Sequence, residues 1–147
     1  MTTDDEIRVL LDKQAIADAL HRYCYSRDTG DLEMGIAISH PDGTAEYEGL
    51  FEGSFRDFLA APTHPGSSHS LSNVLVEVDG DRATSWSCVT SASANPEAER
   101  LFIMRGRFTD TWSRRNGVWG VDHRHFTIDS TEIGTLNVAG IPTAPPD

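Results

Sequence analysis

A chain of 147 residues falls within the size of one domain and is long enough to bury a core of its own. Twelve basic residues against twenty-three acidic ones give a net charge of -11, which disfavours phosphate backbones and anionic lipid surfaces, so neither nucleic acid nor a membrane is expected as a partner. No apolar run is long enough to span a bilayer, and the opening Met-Thr-Thr-Asp-Asp-Glu lacks the basic and apolar parts of a signal peptide, so the expected location is cytoplasmic.

The first element reads as a long amphipathic helix. Thr3 and Glu6 have capping-box spacing. Ile7, Leu10, Leu11, Ile16, Leu20, Tyr23 and Cys24 recur mostly at three- and four-residue steps, leaving Arg8, Asp12, Lys13 and Asp18 for solvent. Thr29-Gly30 stops the helix, because glycine takes the left-handed conformation of a C-cap, and this leaves Asp28 at the helix end. Asp31 can cap a short second helix over Leu32, Met34, Ile36 and Ile38. His40-Pro41-Asp42-Gly43 reads as a turn, with a strand through Ala45 to Gly49 after it. Gly53-Ser54 then opens another short helix, with Phe55, Phe58 and Leu59 on one face, and Pro62 to Ser68 is a loop.

From His69 the period changes to two. Leu71, Asn73, Leu75 and Glu77 alternate with Ser70, Ser72, Val74, Val76 and Val78, and Asp79-Gly80-Asp81 supplies a tight turn. Strands over 83–94 and 101–114 follow, separated by Asn95-Pro96-Glu97, and Arg115-Asn116-Gly117 is a hairpin signal into a last strand over 118–130. Helices first and an antiparallel meander after them predict an α+β fold with the helices packed on one face of a curved sheet. One domain is expected over 1–134, and 135–147, with its three prolines, reads as a tail ordered against a partner or a pocket mouth. Cys24 and Cys88 lack CxxC spacing and read as small buried hydrophobes.

Tyr23-Cys24-Tyr25-Ser26-Arg27-Asp28-Thr29-Gly30-Asp31 after a helix, His69-Ser70-Leu71-Ser72-Asn73 opening a strand, and Arg115-Asn116-Gly117-Val118-Trp119 followed by His123-Arg124 resemble the SnoaL-like branch of the NTF2-like superfamily. The resemblance runs over about residues 5 to 130 and rests on the order of the motifs. It implies a cone-shaped α+β barrel in which a curved sheet and the long helix enclose one deep pocket. Members include dehydrochlorinases, dehydratases, polyketide cyclases, isomerases, epoxide hydrolases and non-catalytic proteins, so fold alone does not set function. It further implies a pocket aspartate at Asp28, a catalytic histidine at His69 and a pocket arginine at Arg124. One departure is Arg27, where the dehydratases carry a tyrosine; the epoxide hydrolases' Asp-Arg-Asp arrangement on strands is not evident.

The residue types fit that chemistry. If Asp28 accepts from one ring nitrogen of His69, the other nitrogen is left unprotonated and more basic, able to take a proton from carbon. Arg124 would stabilise a leaving group or an oxyanion through its permanent charge and planar donors, while lowering the histidine's basicity. The alternative is that Asp28 only caps the turn before Gly30, His69 bonds backbone at a strand end, and Arg124 reaches a surface acid. Alternation puts Arg124 in register with Phe126 and Ile128, and Phe108 with Met104 and Phe102. Trp86, Cys88 and Thr90 would extend this wall on the neighbouring strand, with Tyr23 facing it from the helix. Such a lining suits a small hydrophobic ligand, a cyclic one included.

Trp112 and Trp119 are assigned to packing or to a subunit interface. His123 and His125 share a face and could join a third histidine on a metal, but that face is opposite Arg124 and no metal is expected. His21, His40 and His64 receive no role. Ile103 and Val121 fall on the convex face, which in this superfamily commonly packs on another subunit, so a homodimer or homotrimer is expected. The expected activity is a cofactor-independent lyase, of dehydratase or dehydrohalogenase type, with His69 as base, Asp28 as its orienter and Arg124 as stabiliser. A cyclase or isomerase using the same pair, or a binding or assembly module without chemistry, are the alternatives.

Overall fold

A computed structural model describes residues 1–63, 66–95 and 97–135. Three helices and six strands follow one another as α1 (Thr3–Thr29), α2 (Leu32–Ile36), β1 (Ser39–Tyr47), β2 (Phe51–Ser54), α3 (Phe55–Ala60), β3 (Ser67–Asp79), β4 (Arg82–Asn95), β5 (Arg100–Arg115) and β6 (Val118–Thr135). The α+β class is as expected, and β3 to β6 form the antiparallel meander. Strand order is β2-β1-β6-β5-β4-β3, with β1 beside β6 as the one parallel pairing in the described sheet. The expected barrel does not close: β2 and β3 remain as edges, and α1 packs along β3 and α2. The expected tail over 135–147 lies outside the described residues except for Thr135, which ends β6.

The capping box of α1 stands one residue earlier than Thr3 and Glu6. Thr2 is the N-cap, its hydroxyl accepts from the Asp5 N–H, and the Asp5 carboxylate accepts from the Thr2 N–H at 3.0 Å. Asp4, Asp5 and Glu6 also put negative charge at the positive end of the helix dipole. At the other end Gly30 takes φ 76°, and its N–H donates to the Ser26 carbonyl at 2.9 Å.

The helix face is buried only in its second half, through Ile16, Leu20, Tyr23 and Cys24, whereas Ile7, Leu10 and Leu11 are 49%, 65% and 65% exposed. Asp12, expected in solvent, is buried because it accepts from Trp119 Nε1 at 2.9 Å and from Arg114 Nη1 at 2.7 Å. Arg114 also lies over the Trp119 ring, and Trp112 Nε1 donates to Ser85 Oγ at 2.9 Å. Both tryptophans thus pack one end of the molecule.

Between the helices and the sheet, α2 and α3 begin as expected. Asp31 caps α2 through Met34 N–H and Ser54 caps α3 through Asp57 N–H. His40-Pro41-Asp42-Gly43 is not a free turn: it lies in the first half of β1, where the pairing with β6 skips from Ser39 to Thr44. β2, a four-residue strand, was not foreseen.

Three bulges shift side chains between faces. Asn73, at φ 53°, and Val74 together stand opposite Ser87, so His69 and Leu71 face inward before the bulge and Val74, Val76 and Val78 after it. Asp122 is extra in β6, which turns Val121 into the core at 0% exposure, whereas alternation had put it on the convex face. Asp129 is the third, opposite Arg105 and Gly106. Adding a Cβ to Gly106 would run into the Phe126 ring and the Thr127 carbonyl, so the glycine is what lets both come this close to β5.

Candidate active site

The end of α1 and the start of β3 bring Asp28 and His69 together. His69 Nδ1 stands 2.6 Å from Asp28 Oδ1, and the His69 backbone N–H donates to Asp28 Oδ2 at 3.0 Å. Both carboxylate oxygens are therefore engaged by one residue, which fixes the aspartate against rotation. An ionised carboxylate only accepts, so in a neutral ring the proton between them belongs to Nδ1 and the other nitrogen, Nε2, carries the lone pair. The ring stands edge-on to Tyr23, with centroids 6.4 Å apart.

His69 lines an inner cavity of about 200 Å³. Its floor is aromatic. Phe108 meets Tyr23 edge-on at 5.5 Å, Phe126 lies 5.3 Å from Phe108, and Tyr47 stacks on Phe58 at 4.1 Å. The Tyr23 and Tyr47 hydroxyl oxygens are 3.0 Å apart. Burial pushes both phenols above their ordinary range, against the pull of the Arg124 charge, so both are neutral hydroxyls in neutral solution. Val89, Ser91 and Ser93 supply the β4 wall, and Arg27 and Thr63 also border the cavity. Ser91, Ser93 and Met104 are shared with an outer hollow of about 890 Å³, bordered by Phe102 and Ile133.

Arg124 sits one layer behind this floor. It is 0% exposed, and its Nε and Nη2 donate to Asp110 Oδ1 and Oδ2 at 2.8 and 2.7 Å. Its Cζ lies 3.8 Å from the Phe108 centroid and 4.4 Å from that of Tyr23, and it is not among the residues bordering the cavity. Nη1 has no hydrogen-bond partner among the described residues. Burial works against the guanidinium's charge, but Asp110 more than restores it, so Arg124 stays protonated.

Of the residues expected on the wall, Tyr23, Met104, Phe108 and Phe126 border the inner cavity. Ile128 packs against the core beside it, and Phe102 reaches only the outer hollow. Trp86, Cys88 and Thr90 are on the other face of β4. The inward face is Ala83, Ser85, Ser87 and Val89, and Trp86 is 38% exposed. The physical reason is room: Trp112 projects inward over Ser85, so β4 must present small residues there.

Sequence reasoning missed Tyr47, Phe58, Val89 and Arg27 as lining and Asp110 as the partner of Arg124. Arg27 could have been found, since it stands one helical turn beyond Tyr23. Cys24 is buried against α1's inner side, and burial pushes its thiol up to about 11. His123 pairs through Nδ1 with Thr44 Oγ1 at 2.7 Å, and His40 through Nε2 with the Ser113 carbonyl at 2.8 Å; His64 lies outside the described residues. Among the described residues no cluster of three or more His, Cys, Asp or Glu side chains is placed to hold a metal ion.

Comparison with known proteins follows the same lines. No curated protein matches this sequence. Among solved structures, a hexachlorocyclohexane dehydrochlorinase (LinA) of type 2 is similar at 20% identity and TM-score 0.79, over 96% of this chain and 98% of that one. The type 3 dehydrochlorinase from Novosphingobium barchaimii is similar at 19% identity and TM-score 0.78, over 96% and 99%. A scytalone-dehydratase-like protein from Novosphingobium aromaticivorans is similar at 22% identity and TM-score 0.73, over 89% and 91%. At these identities the likeness is one of fold. The model of the SnoaL-like domain matches residues 8–125, and the chain therefore belongs to the SnoaL-like family, with its NTF2-like α+β fold.

Proposed function

We propose that this protein is a cofactor-independent lyase that takes a proton from carbon of a small, cyclic, hydrophobic substrate and expels a leaving group from the neighbouring carbon. The observation that carries the reading is the two-point seating of Asp28 on His69, through Nδ1 and the backbone N–H, in a residue that borders an aromatic cavity. Asp28 keeps Nε2 bare and stabilises the imidazolium formed when Nε2 takes the proton. The C–H electron pair becomes the new double bond, and chloride or hydroxide leaves with the pair of its own bond. Tyr23 and Tyr47, neutral and side by side, are the hydroxyl donors on hand for the departing group, and Arg124 polarises them from behind. Elimination is also the kind of reaction named for the dehydrochlorinases and the dehydratase-like protein that this chain resembles in fold.

The test is a panel of chlorinated cyclohexanes, followed by chloride release, and of cyclic β-hydroxy ketones, followed by enone absorbance. Wild-type protein should turn over at least one class, and His69→Ala and Asp28→Asn should lose that turnover while still binding the compound. Unchanged turnover in both variants removes the pair from the chemistry. If nothing reacts but the same compounds raise the melting temperature, the cavity is a binding site only.

A further inference from the structure

The cavity wall includes one cation that proton abstraction does not use. Arg27 follows Tyr23 by one turn of α1, so both side chains reach the same cavity. Its Nη1 donates to the Leu59 and Ala61 carbonyls, each at 3.3 Å, where α3 ends, and its Cζ stands 5.4 Å from the Phe58 centroid. Those carbonyls hold the arm in place without supplying a charge. Among the described residues no carboxylate lies within ion-pair distance of Arg27, which borders the cavity, whereas Arg124, behind the floor, is paired with Asp110. Nε and Nη2 make no hydrogen bond to a described residue, so part of a planar donor fork is left over beside the cavity.

A half-buried, permanently charged fork bordering an aromatic cavity has a specific complement. A neutral halocarbon makes no use of it, and a carboxylate matches it in charge and in the spacing of two acceptor oxygens. A phosphate dianion needs more positive charge than this lining offers, since Arg27 is the one Lys or Arg among the described residues that border the inner cavity. The need for such an anchor is sharpened by the chain's net charge of -11, which repels anions from the molecule as a whole.

We propose that Arg27 binds the carboxylate of the substrate, so that the preferred substrate class is small cyclic carboxylic acids. The proposal rests on the inner cavity being the substrate site, as in the reading above, but not on the chemistry performed there. Arg27 is then a specificity-determining residue: it sets which rings bind.

The experiment compares cyclohexanecarboxylate with its uncharged amide, cyclohexanecarboxamide, by isothermal titration calorimetry on the full chain. Wild-type protein should bind the carboxylate about tenfold more tightly than the amide, the size of one charge-assisted hydrogen bond. Arg27→Gln should erase that ratio while amide binding stays in place, and Arg27→Lys should keep part of it. Equal affinities in wild type, no binding of the carboxylate, or a ratio that survives in Arg27→Gln would each overturn the proposal. Asp28→Asn should retain the preference, because that variant alters the group that orients His69 and leaves Arg27 in place. A carboxylate preference that persists alongside unimpaired turnover in Asp28→Asn would therefore sink the proton-transfer reading and leave this one standing.

Discussion

Two polar pairs on the inner side of the sheet differ in what covers them. Asp110 and Arg124 are both 0% exposed and locked by two hydrogen bonds between neighbouring strands, under Phe108 and Tyr23. His69 and Asp28 join an edge strand to a helix end, with side chains 17% and 26% exposed. The first pair lies under Tyr23, Phe55 and Phe108, Asp110 holds two of the three guanidinium nitrogens, and Arg124 does not border the cavity. The second keeps one ring nitrogen uncommitted. Similar polar chemistry serves architecture in one place and fits proton transfer in the other, and the cover makes the difference.

Breaking the sealed pair is the largest perturbation expected. Asp110→Ala strands the Arg124 charge in an apolar layer and should cost about 3–5 kcal/mol of unfolding free energy in urea melts. Asp110→Leu with Arg124→Met should recover most of that loss, since the pair's burial is itself costly. Breaking the open pair should act on rate and spare the fold. Asp28→Asn should lower kcat by about 10²- to 10⁴-fold on whichever compound is turned over, with the melting temperature little changed.

A smaller effect is expected where the floor is shaped. Gly106→Ala meets the Phe126 ring and should cost about 1–3 kcal/mol in the same melts, with weaker ligand binding as the ring is displaced into the cavity. The smallest concerns Cys24, whose thiol is raised from 9.0 to about 11, chiefly by burial, with Asp28 also raising it against the Arg124 charge. Because the fold favours the neutral thiol, the contribution is fully present below the unfolded pKa and lost as pH climbs through the folded one. Wild-type protein should therefore lose more stability than Cys24→Ala between pH 9.0 and about 11, in melts at stepped pH.

How far the sequence reached follows from the same two pairs. Asp28 and His69 were legible because each sits at an element boundary with its own local signal, a C-cap glycine in one case and a switch to period two in the other. Asp110 was not, since the Asn116-Gly117 turn counted back in strict register puts His123 opposite it, and only the extra residue at Asp122 moves Arg124 there. Bulges leave little trace in composition, and the one at Asn73 and Val74 hid the inward face of β3 in the same way. Trp86, Cys88 and Thr90 were placed inward because alternation defines two faces without saying which is buried. The deciding contact, Trp112 on Ser85, lies between strands. Ile7, Leu10 and Leu11 carry the right periodicity for burial, and their exposure depends on where α1 leaves the sheet.

The central claim is that Asp28 holds the proton on Nδ1 of His69 and leaves Nε2 bare. Nitrogen-15 NMR of the His69 ring in the ligand-free protein near neutral pH measures this directly. Wild type should show a protonated Nδ1 and an unprotonated Nε2, with that preference lost in Asp28→Asn. A proton found on Nε2 in the neutral ring, or a tautomer indifferent to Asp28, would contradict it.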